Sequence, residues 1–136
     1  MKWICFNLLI GNNDSHSKNI SFLLKDNRFV LSPFYDLMCT SIYKEYSSEF
    51  AFKMGGNSFW GQWDSSHFRD EVYNWGLDKN TDLLLETFLK LKNKMESVLD
   101  REVEIFKERF PKVKVAGRIK TEITKRNNSF TKRLFP

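Results

Sequence analysis

The sequence has little cysteine, little histidine and no long apolar run, and each scarcity removes a class of protein. Cys5 and Cys39 are the only cysteines in 136 residues, with no CxxC spacing, and His16 and His67 are the only histidines. No recognised Cys/His zinc spacing can be assembled from them, so two buried free thiols are expected. The longest apolar runs, such as "ICFNLLI", fall far short of the roughly 20 residues that span a bilayer. No charged stretch followed by a small-residue cleavage site opens the chain. The expectation is a cytoplasmic protein with no membrane association. There is also no internal repeat, low-complexity tract or Gly/Ser linker, which agrees with a single folded unit.

Bulky apolar material is abundant. Aromatics make up 15% of the chain, with 13 Phe and 4 Trp, enough for the core of one modest domain and contrary to a disorder signature. The net charge of +5 is local: residues 112–136 hold eight Lys/Arg against one Glu, while residues 1–111 carry 14 basic and 16 acidic residues. The body is thus nearly neutral, and the chain divides into a domain over residues 1–111 and a basic C-terminal tail over 112–136. Such a tail can touch phosphate backbones, but a solvated, frayed terminus is the preferred reading, and it argues against direct nucleic-acid binding.

Periodicity outlines the elements. Trp3, Phe6, Leu9 and Ile10 recur at helical spacing and Gly11 stands where a helix stops. "ISFLL" and "RFVLS", joined by "KDN", predict a tight hairpin ended by Pro33. "SEFAFKMGG" is expected to be extended until Gly55 and Gly56 break it. Asp64 to Ser66 are capping residues ahead of Phe68, Val72 and Trp75, with Gly76 as a stop, which predicts a short helix. From Thr81 to Phe110, apolar residues at three- and four-residue steps face Lys and Glu, describing one long amphipathic helix or a helix pair closed by Pro111.

The unusual stretch is "LIGNNDSHSKNISFLL", residues 9–24, where a polar cluster sits between apolar runs. An EF-hand starting at Asp14 would need oxygen ligands at His16 and Lys18, glycine at Asn19 and glutamate at Lys25, and fails at each. Ser15 and Ser17 lack a nucleophile elbow. In "GGNSFWGQW" the glycines have Walker-like spacing, but Gln62 and Trp63 stand where Lys and Ser/Thr are required. The spacing that survives is Asp14, Asn19 and then Asp36. Phosphoryl transfer to a hydroxyl needs a carboxylate to accept the proton and oxygen ligands for magnesium. An acid five residues before an amide, followed across a small hairpin by a second acid, supplies that order.

At these residues the sequence resembles the HipA-like toxin kinases, bacterial serine/threonine protein kinases of toxin–antitoxin operons. "LIGNNDSHSKNISFL", "LSPFYDLMCT" and "AFKMGG" match the family's catalytic stretch, metal-binding segment and following strand in family order, across about residues 3–60. The resemblance implies an α+β, mostly α-helical fold, a protein-kinase-like C-terminal lobe with a small β-hairpin between the catalytic loop and the metal-binding aspartate. By position it makes Asp14 the catalytic base and Asn19 and Asp36 the magnesium ligands, with ATP as co-substrate. His16 stands where eukaryotic kinases place a lysine near the transferred phosphate, and takes a polar role there or organises the loop. Lys18 neutralises phosphate charge or faces solvent, with solvent or loop structure slightly favoured. Asn12 and Asn13 are read as turn formers, Tyr35 as packing beside Asp36, and Trp60 and Trp63 as core or rim.

The family has an N-terminal lobe with a phosphate-covering loop and a nucleotide-binding lysine, whereas here only 13 residues precede Asp14. Since both lobes position phosphate, this chain alone is expected to be a weak or inactive kinase that needs the missing lobe or a split partner chain. The resemblance further implies a helix-turn-helix antitoxin partner and a protein substrate such as an aminoacyl-tRNA synthetase. The alternatives are a non-catalytic remnant or regulatory partner-binding module and, last, a nucleic-acid-associated protein acting through the basic tail.

Overall fold

The computed structural model describes residues 1–136, apart from the side chain of Asp78. The fold is mostly helical with a two-stranded antiparallel sheet, in the order α1 (Lys2–Ile10), β1 (Phe22–Lys25), β2 (Arg28–Leu31), α2 (Ser65–Asn74), α3 (Leu83–Arg109) and α4 (Val115–Leu134).

Helix α1 is apolar nearly all round, and a helix of that composition has to be enclosed. Its Trp3, Cys5, Leu8, Leu9 and Ile10 are buried, and it packs against both α3 and α4. Gly11 ends it at φ 72°, donating its N–H to the carbonyls at the helix end, the left-handed cap that glycine adopts most readily. The chain leaves α1 at this cap and enters the polar cluster.

The hairpin pairs Phe22 with Leu31 and Lys25 with Arg28. Asp26 and Asn27 both take positive φ, 50° and 57°, the twist that a two-residue turn needs to match its strands and that Asp and Asn tolerate. All eight strand residues are exposed. The following stretch departs from the expected extended run: "SEFAFKMGG" forms no strand, only an isolated bridge between Met54 and Asn57. Gly55 and Gly56 at positive φ turn the chain back on itself there, and Ala51 donates its N–H to the carbonyl of Asn13 rather than to a neighbouring strand.

Asp64 caps α2, accepting from the N–H groups of Ser66 and His67 while the His67 ring reaches back to the cap; this satisfies donors that the first helical turn leaves free. Helix α3 is a single helix of 27 residues, whose Leu84, Leu85 and Phe88 enter the core.

Residues 112–136 are not a frayed tail. They form α4, which buries Ile123, Phe130 and Leu134 and packs on α1 and α3. Its basic residues mostly face outward, and its apolar stripe closes the core that Leu8, Leu9, Phe50, Trp63, Phe68 and Phe88 begin. Arg126 is also inside, 1% exposed, its guanidinium 4.2 Å from the Trp60 ring centre and 5.5 Å from that of Phe50. Desolvation lowers its pKa to about 10, and contact with the aromatic faces offsets part of the cost of burial. Trp63 is fully buried and Trp60 packs at the core edge. Cys5 and Cys39 are buried free thiols, and burial pushes the Cys5 thiol up to about 12. Among the described residues, no helix is long and apolar enough to cross a membrane.

Candidate functional site

The polar loop after Gly11 is held from behind before it presents anything forward. Asn7, the one polar residue fully buried in α1, accepts from the Asn12 amide at 2.8 Å. The same Asn12 Nδ2 donates to the main-chain oxygen of Asp36 at 2.8 Å. Asn13 receives a matching brace: its N–H donates to Thr40 Oγ1 at 2.8 Å and its side chain to the carbonyl of Ser47 at 2.9 Å. Thr40 Oγ1 in turn donates to the carbonyl of Gly11. Both asparagines are buried, and the amide nitrogen of each finds an acceptor, as a buried donor has to. Their expected role as simple turn formers is too small: they bolt the end of α1 to the Asp36–Thr40 segment. The sequence signal is Asn7, an amide inside an otherwise apolar helix.

The second device is the hairpin. It sends the chain out and back so that Ser21 and Ser32 meet at its base, their hydroxyl oxygens 2.9 Å apart. The chain therefore returns to the level of the turn Ser17–Asn19. There the Asn19 side-chain amide donates to Asp36 Oδ2 at 2.9 Å and lies 3.4 Å from the main-chain oxygen of Asp14. Tyr35 donates its hydroxyl hydrogen to the carbonyl of Lys18 at 2.9 Å, so it ties the two segments rather than only packing. Asp36 sits at φ 55°, a left-handed conformation that is uncommon for a residue with a side chain and is found concentrated at functional sites.

The structure thus brings Asn19 and Asp36 together, with Asp14 on the same short loop. The Asp14 and Asp36 side chains are exposed, and among the described residues neither forms an ion pair. His16 is half-buried, and its Nδ1 is buried without a hydrogen-bond partner. Lys18 is exposed, and its main-chain carbonyl accepts from Tyr35.

The donor set bears on which metal fits. Among the described residues no three His, Cys, Asp or Glu side chains converge as a metal cage. One carboxylate beside one amide is instead a partial set of hard oxygen ligands, which suits magnesium, since that ion keeps waters and takes phosphate oxygens for the rest.

Comparison with known proteins shows the family and the fold. A family model described as the HipA-like C-terminal domain matches residues 1–108. The serine/threonine-protein kinase toxin HipA of Shewanella oneidensis is 37% identical over 51 residues, covering 38% of this chain and 12% of that protein. A putative kinase of Sinorhizobium fredii, Y4mE, is 42% identical over 50 residues, 37% of this chain and 12% of its own. Among solved structures, the Shewanella oneidensis complex of HipA, HipB and operator DNA contains a chain that superposes with a TM-score of 0.79 at 21% identity. That match covers 96% of this chain and 30% of the solved one, so it speaks to the fold, and the chain spans a minor part of these relatives.

Proposed function

This chain belongs to the HipA-like C-terminal domain family, and we propose that it is the catalytic-loop lobe of a serine/threonine protein kinase, transferring the γ-phosphoryl group of ATP to a protein hydroxyl. The observation that carries the reading is the 2.9 Å contact between Asn19 and Asp36. It joins, across the base of a hairpin, the amide and carboxylate that such chemistry assigns to magnesium, beside a loop bearing a free carboxylate. In this reading Asn19 and Asp36 would hold magnesium, which supplies charge neutralisation at the phosphates. Asp14 accepts the proton of the acceptor hydroxyl as that oxygen attacks, and its exposed, unpaired carboxylate is free to do so. Asn12 and Asn13 position the loop. His16 lines the turn between the two functions, where it stands beside the transferred phosphate or organises the loop, its Nδ1 being buried and unpartnered.

One lobe supplies only part of the electrostatic positioning that phosphoryl transfer requires. The rest comes from a second lobe, in the same polypeptide or in another chain, and this lobe alone is a weak or inactive kinase. The hairpin supports that requirement. Phe22, Leu24, Phe29 and Leu31 are between 50% and 79% exposed, and a two-stranded sheet that is apolar and uncovered needs a partner surface. The solved relative sits in a complex with HipB and operator DNA, and kinship supports an antitoxin-type partner here too.

The test is transfer of radiolabel from γ-labelled ATP with magnesium, by the chain alone and with the second lobe added. Labelling that requires the lobe and is lost in Asp14→Asn is expected. Labelling that survives Asp14→Asn contradicts the assignment.

A further inference from the structure

Beside Asp14, with no residue of the hairpin in its walls, lies a cavity of about 430 Å³ whose walls include Asp14, Met38, Tyr43, Tyr46, Ser47 and Glu49. A space of this size receives a few side chains, not a folded surface. Its walls are apolar and aromatic: Met38 is 52% exposed, Tyr43 44% and Tyr46 64%. The two tyrosine rings meet edge to face with centroids 5.9 Å apart, which leaves ring faces open. Both charged groups in the wall are carboxylates, and Lys44 instead lines a separate depression with Lys114 and Arg118. Asn13 also lines the cavity, and its side-chain oxygen is buried with no donor partner.

We propose that this cavity seats the acceptor segment of the protein substrate, and that it selects an extended segment carrying arginine next to the serine or threonine. The proposal rests on the phosphoryl-transfer reading of Asp14, whose carboxylate forms one wall. An arginine fits the rest of the site: its guanidinium pairs with Glu49, its plane stacks on an open tyrosine face, and its apolar stem lies along Met38. Glu49 has one carboxylate oxygen engaged by Ser58 at 3.1 Å, which orients the other. A glutamate-flanked segment meets two carboxylates and no cation.

The test uses the full chain with its methionine methyl groups isotopically labelled, titrated with two peptides. One is acetyl-Gly-Ala-Arg-Ser-Arg-Ala-Gly-amide, and the other has glutamate in place of both arginines. The arginine peptide is expected to shift the Met38 methyl resonance and leave that of Met54, in the core, unmoved; the glutamate peptide is expected to shift neither. Glu49→Lys, on an exposed side chain, is expected to weaken the arginine peptide about five- to tenfold, and the unmoved Met54 signal reports that the variant is folded. Equal response to both peptides, no response of Met38, or unchanged affinity in Glu49→Lys overturns the proposal. Calorimetry with magnesium and ATP separates the two readings. Nucleotide binding without peptide selectivity overturns this proposal alone, whereas arginine-peptide selectivity without nucleotide binding shows a peptide site but overturns phosphoryl transfer and, with it, the acceptor role proposed for that site.

Discussion

The hydroxyl of Tyr35 donates to the main-chain carbonyl of Lys18 at 2.9 Å, one residue before Asp36 on one side and one residue before Asn19 on the other. This bond clamps together the two backbone segments whose side chains meet at 2.9 Å. Tyr35→Phe removes the clamp and keeps the ring. Because Tyr35 is 43% exposed, the loss of one such bond leaves thermal stability nearly unchanged. The expected effect is on magnesium-dependent nucleotide affinity, reduced about fivefold for a bond of about 1 kcal/mol. Calorimetry beside a thermal melt checks the pair, and a lower melting temperature with unchanged affinity contradicts it.

Gly11 has no room for a side chain. At φ 72° an added Cβ would lie 2.9 Å from Arg126 Nε and closer still to Ser41 Oγ. Gly11→Ala therefore combines a left-handed backbone penalty with a clash against a buried guanidinium, and about 2–4 kcal/mol of destabilisation is expected in denaturant unfolding. The disturbance falls at the cap that launches the Asp14 loop, so nucleotide binding is expected to drop as well.

Helix α4 is structural. Phe130 is fully buried, with its ring centroid 5.3 Å from that of Phe88. Phe130→Ala is expected to cost about 3–5 kcal/mol, and deletion of residues 112–136 to abolish cooperative unfolding. By contrast Lys125→Ala and Lys132→Ala, on positions outside the core, are expected to leave stability within about 0.5 kcal/mol. A cooperative melt from the truncated chain contradicts this account of α4.

Acid weakens the α2 cap. The Ser66 hydroxyl, then the His67 ring and the two backbone N–H groups, hold the Asp64 carboxyl well below the usual carboxylate range. A carboxylate with a depressed folded pKa stabilises the fold fully above its unfolded value, 3.8, and loses that contribution as pH falls through and below it. Asp64→Ala is expected to cost about 1 kcal/mol at pH 7, and the gap from the parent chain to narrow as the pH is lowered toward 3. A gap that stays constant with pH means that the charged cap contributes nothing.

The helices and the hairpin were legible because each follows a local rule: apolar spacing for α1 to α3, and turn-forming Asp26 and Asn27 for β1 and β2. The contact of Asn19 with Asp36 was legible from motif order, since a short hairpin must bring its two ends together. Helix α4 was not. Its buried stripe runs through Ala116, Ile123, Phe130 and Leu134, but Arg126 and Asn127 also fall on it, so the apolar count is interrupted where the charge count is highest. Which polar residues pack inside depends on the aromatic faces of Trp60 and Phe50, distant in sequence. The bracing by Asn12 was missed for the same reason, because its partners Asn7 and Asp36 are set by tertiary contact.

The central claim is that Asn19 and Asp36 form half of a metal–nucleotide site. Calorimetric titration of ATP into the full chain, with and without magnesium and beside Asp36→Asn, tests it most directly. The account predicts heat of binding that appears only with magnesium and vanishes in Asp36→Asn. No magnesium-dependent binding by the folded chain, or the same binding in Asp36→Asn, contradicts it.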